Sequence, residues 1–275
     1  MKIIVLAAGM GSRLGLGNKS KFSFSIPFLF TEHLFKVVKA LEENYTQDLD
    51  FISEEFLIEN LFKNINRLNL MKEFLFVLGY KFLEVTPILS YLAQKYGEKI
   101  NYVVNPWFED TNTAYSLLLA IKSIINSAYD DDILIFNGDN YLSKDAWTKV
   151  MMSLPSGKSF VVVDRASALT EESFKVKIDQ TGKQILDMGK DLCLEESTGE
   201  FIGVSFVVKR DLPLFLDILE NLVENDKKSY YDLAFIPLSQ KGKIDYVFLD
   251  GELWTEIDFL EDIKKLVKIL LKDSL

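Results

Sequence analysis

The feature that most constrains this chain lies at its start, where the apolar run Lys2-Ile3-Ile4-Val5-Leu6 breaks into Ala7-Ala8-Gly9-Met10-Gly11-Ser12-Arg13-Leu14. A short, continuous apolar run ending at glycine reads as a strand buried on both faces. The segment after it combines small residues, two glycines and a cation. Glycine lets backbone amides approach an anion closely, and amides opening a following helix point at it. Arg13 adds a planar fork suited to phosphate oxygens, and Lys21 follows soon after. A buried strand feeding such a cradle predicts a nucleotide-binding α/β fold.

Two familiar phosphate loops fit poorly. A dinucleotide fingerprint requires Gly-x-Gly-x-x-Gly, and Leu14 stands where its third glycine belongs. A Walker loop requires Gly-Lys-Ser, and Gly17-Asn18-Lys19-Ser20 interposes an asparagine. A plain strand-to-helix turn with Arg13 in solvent is the third reading, and it has no need of both glycines and a cation.

Charge and cysteine usage narrow the function class. The formal charge of −10 argues against nonspecific nucleic-acid or anionic-membrane binding, so an anionic ligand must be drawn by local basic groups. Cys193, the only cysteine, has no internal partner, which suits a reducing compartment. No run reaches the roughly 20 apolar residues of a membrane helix, and no cleavable leader is evident, so a cytoplasmic location is expected. His33, the only histidine, falls in a candidate amphipathic helix and is assigned no catalytic role.

Strands are expected at 2–6, 73–78, 101–104 and 133–136, alternating with helices at 54–69, 87–96 and 113–127. That alternation predicts an α/β protein with a mixed, mainly parallel central sheet, helices on both faces, and ligands at the carboxyl ends of the strands. Residues 7–13, 79–81 and 138–139 all fall at such ends. Beyond residue 156, strands are expected at 159–164, 174–179, 202–208 and 243–249, then a helix over about 259–271. With 48% hydrophobic residues in 275 and no Pro/Gly/Ser-rich linker, one domain over 1–275 is expected.

Two carboxylate positions stand out. Asp139 follows an apolar strand and Gly138, which projects it above the sheet. Trp254-Thr255-Glu256-Ile257-Asp258 spaces two acids by two residues, placing both on one face of an extended segment. Asp139 and Asp258 on separate strand ends, with phosphate oxygens, make a hard oxygen site suited to Mg²⁺. The plainer readings are a turn residue at Asp139 and a helix N-cap at Asp258.

Together these residues resemble the nucleotidyltransferases that join a nucleoside triphosphate to a phosphorylated acceptor and release pyrophosphate. Leu6-Ala7-Ala8-Gly9-x-Gly11-Ser12-Arg13-Leu14, then Lys21, matches that superfamily's signature. Within it the chain is similar to the choline-phosphate and 2-aminoethylphosphonate cytidylyltransferases. That closer likeness rests on Gly79-Tyr80-Lys81, Asn105-Pro106 with Thr111-Asn112 and Tyr115-Ser116-Leu117, Phe174 to Asp179, Gly199 to Val204, and Trp254 to Asp258. Three departures bear mainly on the acceptor. Phe22-Ser23-Phe24 follows Lys21 where the family has Pro-Leu, Thr113 replaces an asparagine, and residues 29–53 look inserted.

The resemblance implies a Rossmann-like nucleotidyltransferase fold with a small acceptor-binding lobe, residues 1–156 serving mainly the nucleotide and 157–275 mainly the acceptor. It implies Arg13 and Lys21 as catalytic. Leu6, Ala7, Ala8, Gly9, Met10, Gly11, Ser12, Tyr80, Asn105, Thr111, Asn112 and Gly138 are implied on the nucleotide. Asp139 and Asp258 are implied on Mg²⁺. Lys190, Glu200, Phe201, Trp254 and Glu256 are implied on the acceptor, with Trp254 as an aromatic face for an ammonium head. The partners implied are CTP and phosphocholine, phosphoethanolamine or 2-aminoethylphosphonate, with room for a homodimer and none for nucleic acid or membrane. The alternatives are a sugar- or inositol-phosphate nucleotidyltransferase and a catalytically inactive nucleotide-binding subunit.

Overall fold

The computed structural model describes residues 1–9, 58–68, 70–124 and 131–259, together with Asp262, Lys265, Leu266 and Ile269. Its strands are β1 (Lys2–Ala7), β2 (Glu73–Leu78), β3 (Ile100–Val104), β4 (Ile133–Asn137), β5 (Asn140–Leu142), β6 (Ser159–Asp164), β7 (Lys175–Ile178), β8 (Ile185–Gly189), β9 (Gly199–Val207), β10 (Ile244–Leu249) and β11 (Trp254–Glu256). Its α-helices are α1 (Glu59–Ile65), α2 (Phe82–Tyr96), α3 (Thr113–Ser123), α4 (Lys144–Ser153), α5 (Leu212–Asn225) and α6 (Phe235–Gln240).

The sheet runs β10-β6-β9-β4-β1-β2-β3, with β7 and β8 joined to it through β9. β1 pairs parallel with both β2 and β4, and β2 pairs parallel with β3. β9 lies antiparallel between β4 and β6, making the sheet mixed as expected. Alternation along β1 sends Ile4 and Leu6 to a core with α3, α5 and α6, and Ile3 and Val5 to a core with α1, α2 and α4. Both faces are therefore covered by helices, which is why the strand sequences read as unbroken apolar runs.

Several boundaries differ from the sequence reading. α2 begins at Phe82, five residues before the expected start, and carries Pro87 inside it. Proline removes one backbone donor, and the Thr86 hydroxyl donates at 3.4 Å to the Leu83 carbonyl that Pro87 leaves unserved. β9 begins three residues before its expected start and bends at Gly203, whose φ of +71° is left-handed. A Cβ there would stand 2.5 Å from the amide nitrogens of both Asn137 and Asn140, so the site demands glycine twice over. The short strands β5 and β8 and helices α4 to α6 go beyond the sequence reading, while β11 falls in the segment read as extended. His33 and the segment 29–53 lie outside the described residues.

Candidate active site

Strand ends supply one side of a cavity of about 360 Å³. β1 brings Leu6, Ala8 and Gly9 to its lining, and the end of β4 brings Asn137 and Asp139. The β1 and β4 ends are drawn tightly together, the Gly138 amide donating to the Leu6 carbonyl at 2.9 Å. Gly138 thus acts through its backbone and does not line the cavity. The remaining nucleotide-loop positions, Met10, Gly11, Ser12, Arg13 and Lys21, lie outside the described residues.

The acidic cluster is assembled by a short antiparallel ladder. β11 pairs with β5 so that Glu256 lies opposite Asn140, and the Ile257 amide donates to the Asp139 carbonyl at 3.0 Å. This register brings Asp139, Glu256 and Asp258 together, with one carboxylate oxygen of each within 4.8 Å of the others. Glu256, expected on the acceptor, instead completes this cluster. The amides of Asp258 and Phe259 donate to the Asp262 carboxylate at 3.0 and 2.8 Å. An all-oxygen set this close suits a hard divalent cation such as Mg²⁺.

The opposite wall is aromatic and acidic. Phe174 stands edge-on to Phe201 and to Tyr230, with centroids 6.2 and 5.3 Å apart. Glu200, Glu172 and Lys190 line the same wall, the Lys190 ammonium reaching Glu172 at 3.1 Å. Burial pushes the Glu200 carboxyl above its ordinary range. Asp232 also lines the cavity, and burial pushes its carboxyl up to about 8. The described lining thus holds six carboxylates (Asp139, Glu172, Glu200, Asp232, Glu256, Asp258) against one cationic side chain, Lys190.

The other expected positions divide between lining and support. Thr111 and Asn112 line the cavity, and Asn112 caps α3 by accepting from the Thr113 amide at 2.8 Å. Asn105 is buried beneath them. Its amide donates to the hydroxyls of Thr111 (3.0 Å) and Ser116 (3.1 Å), and its oxygen accepts from the Trp107 amide. Tyr80 packs on Phe108 at 5.9 Å, outside the lining. Trp254 is also outside it: the indole N–H donates to Asp164 at 2.7 Å and the ring packs against the core. The expected aromatic face at Trp254 is therefore corrected. Trp254 shares its strand face with Glu256, but its indole reaches Asp164 at the end of β6, while Phe174, Phe201 and Tyr230 are among the rings that line the cavity.

Glu172, Tyr230 and Asp232 escaped the sequence reading. Tyr230 and Asp232 flank or occupy a 3₁₀ turn, Tyr231–Ala234, which carries neither the glycine nor the strand-end signal that marked the other positions. The doublet Tyr230-Tyr231 before an acid was the one available cue.

Comparison with known proteins agrees with this architecture. A family model described as a domain of unknown function (DUF6564) matches residues 50–187. The choline-phosphate cytidylyltransferase of Streptococcus pneumoniae is 25% identical over the whole of both chains. The bifunctional IPC transferase and DIPP synthase of Thermococcus kodakarensis is 21% identical over 99% of this chain, which spans about half (51%) of that relative's length. The solved inositol-1-phosphate CTP transferase of T. maritima superposes with a TM-score of 0.68 at 18% identity, covering 98% of this chain and 95% of that one. The chain has the Rossmann-like fold of nucleotidyltransferases.

Proposed function

Because the chain belongs to the DUF6564 family, whose description assigns no activity, and folds as a nucleotidyltransferase, we propose that it transfers a cytidylyl group from CTP to a small phosphorylated or phosphonate amino-alcohol, releasing pyrophosphate. The observation that carries this reading is the division of the cavity. Three convergent carboxylates stand at the strand ends, and an aromatic wall with further carboxylates stands opposite. Two of the relatives named above are CTP or cytidylyl enzymes by name, which supports CTP as donor.

Chemically, an acceptor phosphate or phosphonate oxygen attacks the α-phosphorus in line and pyrophosphate departs from the opposite side. That oxygen is ionised near neutral pH, so no general base is required. The work left to the protein is alignment and charge neutralisation. In this reading Arg13 and the amides of residues 9–12 would serve the β- and γ-phosphates, and Lys21 would serve the α-phosphate. Asp139, Glu256 and Asp258 would hold Mg²⁺, which supplies positive charge to the phosphate oxygens. Phe174, Phe201 and Tyr230 present aromatic surface to an ammonium head, worth roughly 0.5–2 kcal/mol. A cavity this rich in carboxylates favours that head over an uncharged sugar or inositol ring.

The test is pyrophosphate release from CTP, UTP, dTTP, ATP and GTP, each with Mg²⁺, against ammonium-bearing and polyol phosphate acceptors. Turnover with CTP and an ammonium-bearing acceptor is expected. Turnover confined to inositol or sugar phosphates would overturn the acceptor reading and leave the transfer chemistry in place.

A further inference from the structure

Within that proposed reaction, on which this inference rests, we propose that Asp164 is a positioning residue whose one carboxylate sets both the metal-holding strand β11 and the acceptor-facing loop after β6. Asp164 ends β6 and is 2% exposed. It does not line the cavity, so it acts through the groups that it holds.

The two carboxylate oxygens face different parts of the site. Oδ2 accepts from the Trp254 indole N–H at 2.7 Å. Trp254 opens β11, two residues before Glu256 of the acid cluster. Oδ1 accepts from the amides of Ala166 at 2.8 Å and Ser167 at 3.3 Å. That turn, an aspartate bonding its own backbone two residues on, fixes how the chain leaves β6. The same loop runs on to Glu172 and Phe174, which line the cavity. Its far end is held as well, the Thr170 amide donating to the Ser173 hydroxyl at 3.1 Å and the Phe201 amide to the Phe174 carbonyl at 2.9 Å. Asp164 also lies opposite Glu200 in the β6–β9 pairing, and Glu200 shares that lining.

Closing the turn needs only one oxygen, yet the second reaches a residue 90 positions further along the chain. Strand β11 and the loop after β6 therefore take their places from a single side chain. Asparagine separates the two arms, because an amide has one accepting oxygen and one donating nitrogen. With the oxygen kept on the two loop amides, the nitrogen meets the indole N–H, donor against donor. Alanine removes both arms at once.

The experiment compares the unaltered protein with Asp164→Asn, Asp164→Ala, Trp254→Phe and the double variant Asp164→Asn/Trp254→Phe. Mn²⁺ affinity in the presence of CTP is read by electron paramagnetic resonance, and phosphoethanolamine affinity by calorimetry, both independent of turnover. Asp164→Asn is expected to weaken Mn²⁺ about 10-fold, as for other groups that orient metal ligands, and to leave phosphoethanolamine unchanged. Asp164→Ala is expected to weaken both, each by about 10-fold. The double variant is expected to lose no more Mn²⁺ affinity than either single one, since both remove the same bond. A fall in kcat or folded fraction with both affinities intact would show a merely structural role and overturn the proposal. So would Mn²⁺ losses that multiply in the double variant. Trp254→Phe tests the bond from its other side, so the comparison stands even if Asp164→Ala fails to fold. Absence of both Mn²⁺ and acceptor binding in the unaltered protein would instead remove the reading beneath it.

Discussion

At one end of the cavity Asp139, Glu256 and Asp258 ride on strand ends locked by backbone hydrogen bonds. At the other, Glu172, Phe174 and Lys190 flank the open end of the β7–β8 ladder, where one buried side chain adds bonds across the gap. That side chain is Lys175, fully buried, whose ammonium donates to the carbonyls of Glu171 and Ser173 at 3.3 and 3.4 Å and also to that of Lys190. The first end depends on strand register, which tolerates little change without losing the fold. The second adds to the β7–β8 ladder a set of bonds from the Lys175 side chain, which substitution alters locally. In the proposed reaction, metal holding would fall to the end set by strand register and acceptor contact to the end braced by a side chain.

The sharpest way to break the comparison is Asp258→Asn. Loss of one of three clustered carboxylates is expected to lower kcat by about 10³-fold while the protein stays folded, read from Mg²⁺-dependent pyrophosphate release and circular dichroism. Near-normal turnover would show that the cluster does not serve a metal. At the other end, Lys175→Met leaves three carbonyls without their donor. Destabilisation of about 1–3 kcal/mol is expected, with a raised KM for the acceptor and little change for CTP, measured by urea unfolding and steady-state kinetics. A rise in the KM of CTP instead would show that the two ends are mechanically one.

Trp254→Phe probes the link between them. It removes the hydrogen bond to Asp164 that braces β11, and the Mg²⁺ concentration for half-maximal rate is expected to rise about 10-fold, as for other groups that orient metal ligands. An unchanged Mg²⁺ requirement would show that the β5–β11 ladder alone sets the register. The smallest effect is expected far from both ends, at Glu73 on the opening of β2. Hydrogen bonds from Lys2 and Lys99 hold its carboxyl down from 4.5 to about 2. A lowered folded-state pKa stabilises above 4.5, and that stability is lost as pH falls toward 2. Glu73→Gln is expected to flatten urea stability across that window by under about 1 kcal/mol, screening limiting the pair, with no effect on turnover.

The parts of the site legible in sequence were those signalled by local pattern. β2 and β6 fall at their expected residues, because a strand buried on both faces is an apolar run with clear ends. Gly9 and Asp139 were found because they sit just beyond such runs. The wall formed by Phe174, Tyr230 and Asp232 was not found, because aromatic residues serve core and site alike in a chain that is 13% aromatic. Trp254 was misdirected for the same reason: whether an indole faces a ligand or the Asp164 carboxylate depends on a neighbour that local spacing does not reveal.

By itself, the sequence determined the β/α alternation, the small-residue loop after β1 and the acids at 139, 256 and 258, since periodicity, backbone freedom and charge are properties of neighbouring residues. Only the tertiary structure decided that Glu256 joins Asp139 and Asp258, that Trp254 braces rather than lines, and that Asp232 lies buried at the edge of the cavity. Those outcomes depend on strand register and burial, which are settled between segments that meet only when the chain is folded.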